Sequence, residues 1–187
     1  MKNSGTVRME TKRLVLRPFV IEDAGAMFRN WANDPQVTKF LSWEPHKDVE
    51  ETKKILEGWI ASYESKDFYT WAIAWREDEG NVIGSIAVPQ LNQKAGRVTV
   101  GYCLGRKWWG NGIMKEAFAE LIRFFFEVEG ANRVEALHDI RNVNSGKVMA
   151  ACGLKKEGTL RRYGWNNQGI CDECIYGMVA SDYFEGK

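Results

Sequence analysis

No stretch of this 187-residue chain approaches the roughly 18 consecutive apolar residues that a membrane-spanning helix needs. Phe124-Phe125-Phe126, the longest apolar stretch near the middle, is closed off by Arg123 and Glu127. Met1-Lys2-Asn3-Ser4-Gly5 has no apolar core behind its charge, so it does not read as a secretory signal, and a cytoplasmic location is expected. An excess of charge is missing too. Lys and Arg number 26 against 25 Asp and Glu, a formal +1. Proteins that live on nucleic acid usually carry a clear basic excess, so neither direct nucleic-acid binding nor membrane binding is expected.

Cysteine is scarce: Cys103, Cys152, Cys171 and Cys174. Without a secretory signal these read as reduced thiols. Cys171-Asp172-Glu173-Cys174 is a C-x-x-C, but a zinc site needs two further ligands. His46, His138, Cys103 and Cys152 show no matching spacing. A redox pair would open a helix; this one opens a strand, where residues three apart face opposite ways. No metal is expected. Internal repeats, low-complexity tracts and linkers are also absent.

What is present is a globular composition, 44% hydrophobic and 27% charged, at a length that suits one domain. Residues 13–17 alternate as a strand. Asp23 opens a helix through Ala24, Met27, Phe28 and Trp31, and a short helix over 36–41 follows. Asp48 caps a third helix carrying Leu56 and Trp59. From Tyr69 the period falls to two, giving strands at 69–75, 82–88 and 97–104 joined by tight turns, an antiparallel meander. A loop rich in Gly and Trp, 105–112, feeds the strongest helix, with Ala117, Phe118, Leu121, Ile122, Phe125 and Val128 in one stripe. A strand at 133–138, a short helix from Asn144 to Gly153 and strands near 154–163 and 171–179 complete an α+β reading. Trp31, Trp59, Trp71 and Trp75 sit at periodic, core-like positions. Trp43 and Trp165 lie in loops, and the pair Trp108-Trp109 braces the glycine turn.

The informative segment is Tyr102-Cys103-Leu104-Gly105-Arg106-Lys107-Trp108-Trp109-Gly110-Asn111-Gly112-Ile113-Met114. A strand runs into a glycine loop that opens a long helix. The first-turn N–H groups of such a helix have no internal partner and carry partial positive charge, so they suit a phosphate or pyrophosphate. A turn needing positive φ explains the glycines equally well. The three glycines of a dinucleotide fingerprint and the Gly-Lys-Ser/Thr of a P-loop are missing, and the preceding strands are a meander rather than a parallel unit.

Lys107-x-x-Gly110-x-Gly112 resembles the acyl-CoA signature of the GNAT N-acetyltransferases, Gln/Arg-x-x-Gly-x-Gly/Ala. Thr11-x-Arg13-Leu14-x-Leu16-Arg17, Asp23-Ala24, Gly101-Tyr102-x-Leu104, Glu116-Ala117, Asn142-x-x-Ser145, Gly153-Leu154, Glu157-Gly158 and Asp172-x-x-x-Tyr176 resemble the RimJ/RimL-type branch, which contains ribosomal-protein N-terminal acetyltransferases. The likeness runs from about Met9 to Val179. The first eight residues fall outside it and are expected to be a flexible extension of a single domain, 1–187.

The resemblance implies a mixed, mostly antiparallel, seven-stranded sheet splayed beside the glycine loop. It implies acetyl-CoA as co-substrate, bound by Cys103, Leu104, Lys107, Trp109, Gly110, Asn111, Gly112, Ile113 and Met114, with Asn142 on the pantetheine arm. Lys107 keeps a cation but lacks the planar fork of arginine. Thr99 stands where many relatives have Glu, and Met149 where most GNAT enzymes outside the branch have a proton-donating Tyr. Ser145 is therefore the candidate catalytic group, assisting the departing sulfur. Asn142 and Ser145 read equally as helix caps. Trp43, Asp172 and Glu173 are the acceptor-side candidates, although exposed carboxylates on a strand are more often simply solvated. The implied reaction is acetyl transfer to a primary amine, most plausibly a protein N-terminus, by a monomer or homodimer. A polyamine or aminoglycoside acceptor, and a CoA-binding module without turnover, are the alternatives.

Overall fold

The computed structural model describes residues 1–186. One sheet runs in the order β1-β2-β3-β4-β5-β6-β8-β7. Its strands are β1 Met9–Glu10, β2 Leu14–Arg17, β3 Thr70–Trp75, β4 Asp78–Asn92, β5 Arg97–Leu104, β6 Arg133–Asp139, β7 Lys155–Asn166 and β8 Gly169–Val179. All neighbours are antiparallel except β5 and β6. The sheet has eight strands where seven were expected. The extra one, β1, pairs Met9 with Leu16 and Glu10 with Val15, and two residues are too short to show a period of two.

Helices cover both faces. On one side α1, Ala24–Met27, and α3, Val49–Ser62, close a core around Val15, Trp31, Leu56, Ala72, Ala74 and Val82. The Asp48 side chain caps α3 by accepting from Glu51 N at 2.8 Å, as its position predicts. On the other side α4, Ile113–Arg123, lays its apolar stripe on Leu14, Leu16, Trp71, Ile73, Val98 and Val100. Helix α2, Pro35–Thr38, precedes the loop that carries Trp43. Helix α5, Val143–Ala151, leans on β6, and α6, Ala180–Glu185, ends the described chain. No helix among the described residues is long and apolar enough to cross a membrane.

The feature that makes a site is a parting of strands. β5 pairs with β6 only from Arg97↔Arg133 to Val100↔Ala136. On its other edge β5 stays paired with β4 up to Leu104↔Gly84. Residues 101–104 of β5 therefore have one edge without a strand partner, and a V-shaped notch opens toward the helix-bearing ends of β5 and β6.

The first residues, expected to be a flexible extension, are strapped to the body. Lys2 N donates to Glu129 O at 2.9 Å, and Asn3 N and Ser4 N donate to the Glu129 carboxylate at 2.7 and 2.9 Å. Tyr69 Oη donates to the same carboxylate at 3.1 Å. Glu129 is fully buried, and a buried carboxylate needs such partners. Sequence pattern alone gave no sign of this, because the donors are backbone amides.

Candidate active site

The notch leads into a cleft enclosing ≈ 590 Å³, walled by β5, the loop after it, the start of α4, the start of α5 and the segment after α2. At its floor the loop turns twice through left-handed backbone, with Gly110 at φ 78° and Gly112 at φ 70°. A side chain strains that conformation. A Cβ on Gly110 would meet nothing within 4 Å; its bare backbone faces open space. Gly112 is also the N-cap of α4, so the first-turn N–H groups of that helix open beside it. Trp109 Nε1 donates to Leu104 O at 2.7 Å and ties the loop to the end of β5.

A second brace comes from far away in the chain. Glu116, in the first turn of α4, accepts from Thr11 Oγ1 at 2.6 Å, Arg13 N at 2.8 Å and Arg13 Nε at 2.6 Å. Arg13 Nη1 then donates to Asn111 O at 3.2 Å, inside the glycine loop. Burial works against charge on Glu116, but the hydrogen bonds from Thr11 and Arg13 prevail and hold its carboxyl below the ordinary range. Two motifs separated by a hundred residues thus meet as one fixture.

Of the expected residues, Cys103, Leu104, Trp109, Gly110, Gly112, Ile113, Met114, Asn142 and Ser145 line the cleft together. Asn142 is the N-cap residue of α5, yet its side chain makes no capping hydrogen bond; the amide is left for the cleft. Lys107 and Asn111 stand outside the lining. Lys107 Nζ lies 5.5 Å over the ring of Trp108, a cation–π contact. Asn111 shapes the loop, its Nδ2 donating to Trp109 O at 3.2 Å.

Trp43, Asp172 and Glu173 also stand outside it. Trp43 packs on His46 at 5.3 Å between ring centres, and its carbonyl accepts from Asn167 Nδ2 at 2.8 Å. Asn167 clasps the same segment twice more, through Thr38 O at 2.9 Å and Leu41 O at 3.1 Å. The β7–β8 turn is therefore locked to the loop beyond α2. Asp172 accepts from Arg162 N at 2.7 Å and serves a bulge in β7. Glu173 sits across the strand from Asp139, with its carboxylate in the space that a Cβ on Gly164 would take. Burial, and then the Asp139 charge, raise the Glu173 carboxyl above its ordinary value. Asp139 is held far below its own, first by the hydrogen bonds of Arg141. Cys171 and Cys174 are buried, and no group of three or more His, Cys, Asp or Glu among the described residues is arranged to hold a metal ion.

Two groups of lining residues escaped the sequence reading. Tyr102 belongs to the strand that runs into the glycine loop, and the sequence reading assigns it no role of its own; its Oη reaches Ser145 Oγ at 3.0 Å. Lys39, Lys115, Arg141 and Lys147 supply the charge, and no Asp or Glu joins them in the lining. Lys115 and Lys147 sit near the starts of α4 and α5, where the helix dipole disfavours a cation, and that placement was the available signal.

Residues 13–155 match the family model for the acetyltransferase (GNAT) domain. Over 171 residues the chain is 31% identical to the uncharacterized N-acetyltransferase YoaA of Bacillus subtilis, covering 91% of this chain and 96% of that protein. It is 27% identical over 192 residues to the ribosomal protein uS5-alanine N-acetyltransferase of Escherichia coli, covering 99% of this chain and 97% of that protein. Among solved structures, the ribosomal-protein-S5-alanine acetyltransferase from Vibrio fischeri superposes with a TM-score of 0.81 at 23% identity, over 95% of this chain and 98% of that one. The microcin C7 self-immunity acetyltransferase MccE, in complex with acetyl-CoA and AMP, superposes with a TM-score of 0.81 at 18% identity, over 90% and 93%. The splayed strand, the left-handed glycines at a helix start and the family match over residues 13–155 make one conclusion: the chain belongs to the GNAT acetyltransferases and is an acetyl-CoA-dependent N-acetyltransferase.

Proposed function

We propose that the acceptor is the α-amine of a protein or peptide N-terminus. The observation that carries this reading is the missing acidic wall: the lining of the cleft holds no carboxylate, and Arg141, one of its four cations, is already paired with Asp139. A polycationic amine would be repelled there, whereas an anionic donor is drawn in and a singly charged amine is tolerated. The similarity to the uS5-alanine N-acetyltransferase of Escherichia coli points the same way.

The residues fit the donor. Acetyl-CoA, when bound, supplies an activated acetyl thioester. The bare backbone of Gly110 and Gly112 and the start of α4 face its pyrophosphate, and Lys115 and Lys147 add charge beside it. The unpaired edge of residues 101–104 receives the pantetheine amides as it would an extended peptide, and Asn142 offers both a donor and an acceptor. Ser145 donates a hydrogen bond to the departing sulfur. Met149 is buried and takes no part. Burial pushes the Cys103 thiol up to about 11, so it stays protonated near neutrality and is a poor nucleophile. Transfer is then direct, without an acetyl-cysteine stage.

The amine must lose a proton. Glu79, Glu116, Asp139 and Glu157 all have lowered pKa values, whereas Glu173 is raised and Asp139 beside it stays ionised. Neighbouring carboxyls pushed apart in this way suit one of them to accept a proton; Glu173 stands outside the cleft lining and accepts the proton through a water relay rather than by contact with the amine.

The test is mass spectrometry of ribosomal-protein N-terminal peptides, and of spermidine and kanamycin, after incubation with the protein and acetyl-CoA. Acetylated α-amines support the reading; acetylation of the polyamine or aminoglycoside alone overturns it.

A further inference from the structure

We propose that Tyr102 is the positioning residue of the active site: its phenol holds the Ser145 hydroxyl so that the serine proton points into the cleft, at the thioester sulfur. The inference rests on the assignment of Ser145 to that sulfur. Tyr102 lies on β5 two residues beyond the last β5–β6 pair, Val100↔Ala136, where the strands have parted. Its Oη is 3.0 Å from Ser145 Oγ and 3.1 Å from Ser145 O. Both residues line the cleft. The ring is held against Phe118 of α4 at 5.5 Å between centres, and Phe118 is fully buried. The phenol therefore has a fixed address between the two helices.

The hydrogen-bond inventory makes this pair a two-way device. A phenol has one proton to give and lone pairs to receive, as does a serine hydroxyl, while a carbonyl only accepts. If Oη donates to Ser145 O, its lone pair receives the Ser145 proton, and that proton points away from the cleft. If Oη donates to Ser145 Oγ, the serine proton is released toward the cleft, and the bond received strengthens the bond given. One O–H rotation separates the two states, and a sulfur in the cleft favours the second. Burial raises the Tyr102 pKa, so the phenol remains neutral and acts by orientation rather than as the proton source.

The height of Ser145 above the sheet is set next door. A Cβ on Gly146 would lie 2.6 Å from His138 Nε2 and 3.4 Å from Tyr176 Oη. Only a glycine lets α5 settle this low, and this is what brings Ser145 within reach of a residue on β5. His138 Nδ1 is engaged with Asp139 O at 2.8 Å, which keeps the ring in place under the helix.

The test is steady-state kinetics of the whole chain and of Tyr102→Phe, Ser145→Ala and the double variant, with acetyl-CoA and a ribosomal-protein N-terminal peptide, or spermidine where peptides are not acetylated. Tyr102→Phe keeps the ring, and its melting temperature reports the fold. The expected result is a kcat about tenfold lower in Tyr102→Phe with the acetyl-CoA KM within about twofold, a smaller drop than the about 10²–10⁴-fold of losing a proton donor itself, as fits a residue that acts through Ser145. The double variant then matches Ser145→Ala alone. An acetyl thioester of a more acidic thiol, which needs less help in leaving, restores most of the Tyr102→Phe rate. Full kcat in Tyr102→Phe beside a slowed Ser145→Ala overturns the role of Tyr102 alone. The same fold-loss from Tyr102→Phe in the Ser145→Ala background also overturns it. Full kcat in Ser145→Ala removes Ser145 from the chemistry, and this inference with it.

Discussion

Glu116 Oε2 receives Arg13 Nε at 2.6 Å, and through Arg13 the first turn of α4 is tied to the carbonyl of Asn111 in the glycine loop. The turn that leads into strand β2 thus sets the shape of a loop far along the chain. Replacing Glu116 by Gln leaves Arg13 with half a partner and loosens the loop. The expected outcome is an acetyl-CoA KM raised about tenfold or more with kcat less affected, since small misplacements of positioning groups cost of this order; initial-rate kinetics over an acetyl-CoA series checks it. The folded-state pKa of Glu116 lies below its ordinary 4.5. Its contribution to stability is therefore complete above about 4.5 and lost as pH falls through the lowered value. Glu116→Gln flattens the acid side of the melting-temperature profile.

Gly110→Asp puts a carboxylate into space where a Cβ meets nothing within 4 Å. Asp tolerates left-handed backbone better than most residues, so the fold survives. Isothermal titration is expected to show acetyl-CoA affinity reduced by at least about tenfold, or about 1.4 kcal/mol, because like charges then face each other. Unchanged affinity would move the pyrophosphate elsewhere.

Partial burial, and then the charge of Asp139 that it faces, raise the Glu173 carboxyl above the ordinary glutamate range. As the proton acceptor it works only when ionised, so kcat/KM falls as pH drops through its raised pKa. Glu173→Gln is expected to lower kcat by about 10²-fold, within the usual range for a general base, and to erase that acid limb. A pH profile unchanged in the variant would leave the proton to water alone.

Gly146→Ala forces α5 away from His138, whose Nε2 would stand 2.6 Å from the new Cβ. Overpacking of this kind costs about 1–3 kcal/mol, read by urea unfolding. The lifted helix also carries Ser145 away from Tyr102, so kcat falls beyond what the stability loss explains at a temperature where the variant is fully folded.

Periodicity alone located β5, given as 97–104 and found as Arg97–Leu104, and the Asp48 cap of α3. Strong local signals of this sort survive folding because propensity, capping and burial agree at those residues. The glycine loop was legible for the same reason: left-handed backbone at Gly110 and Gly112 is a local demand that glycine meets. Strand β1 was not legible because two residues are too short to show a period, and the strap on Glu129 was not because its backbone donors meet a carboxylate far away in sequence.

The chain's own order of residues decided that a strand runs into a glycine turn and a helix, and that Met149 donates no proton. What needed the third dimension was the parting of two strands and the meeting of segments distant in the chain. The loss of pairing after Val100↔Ala136 opens the notch and leaves Tyr102 beside Ser145, while the packing of α4 against β2 joins Thr11, Arg13 and Glu116 into one brace. Side-chain period records which face of an element is covered. It holds no record of which distant element covers it, and the chemistry of this site is decided by that pairing.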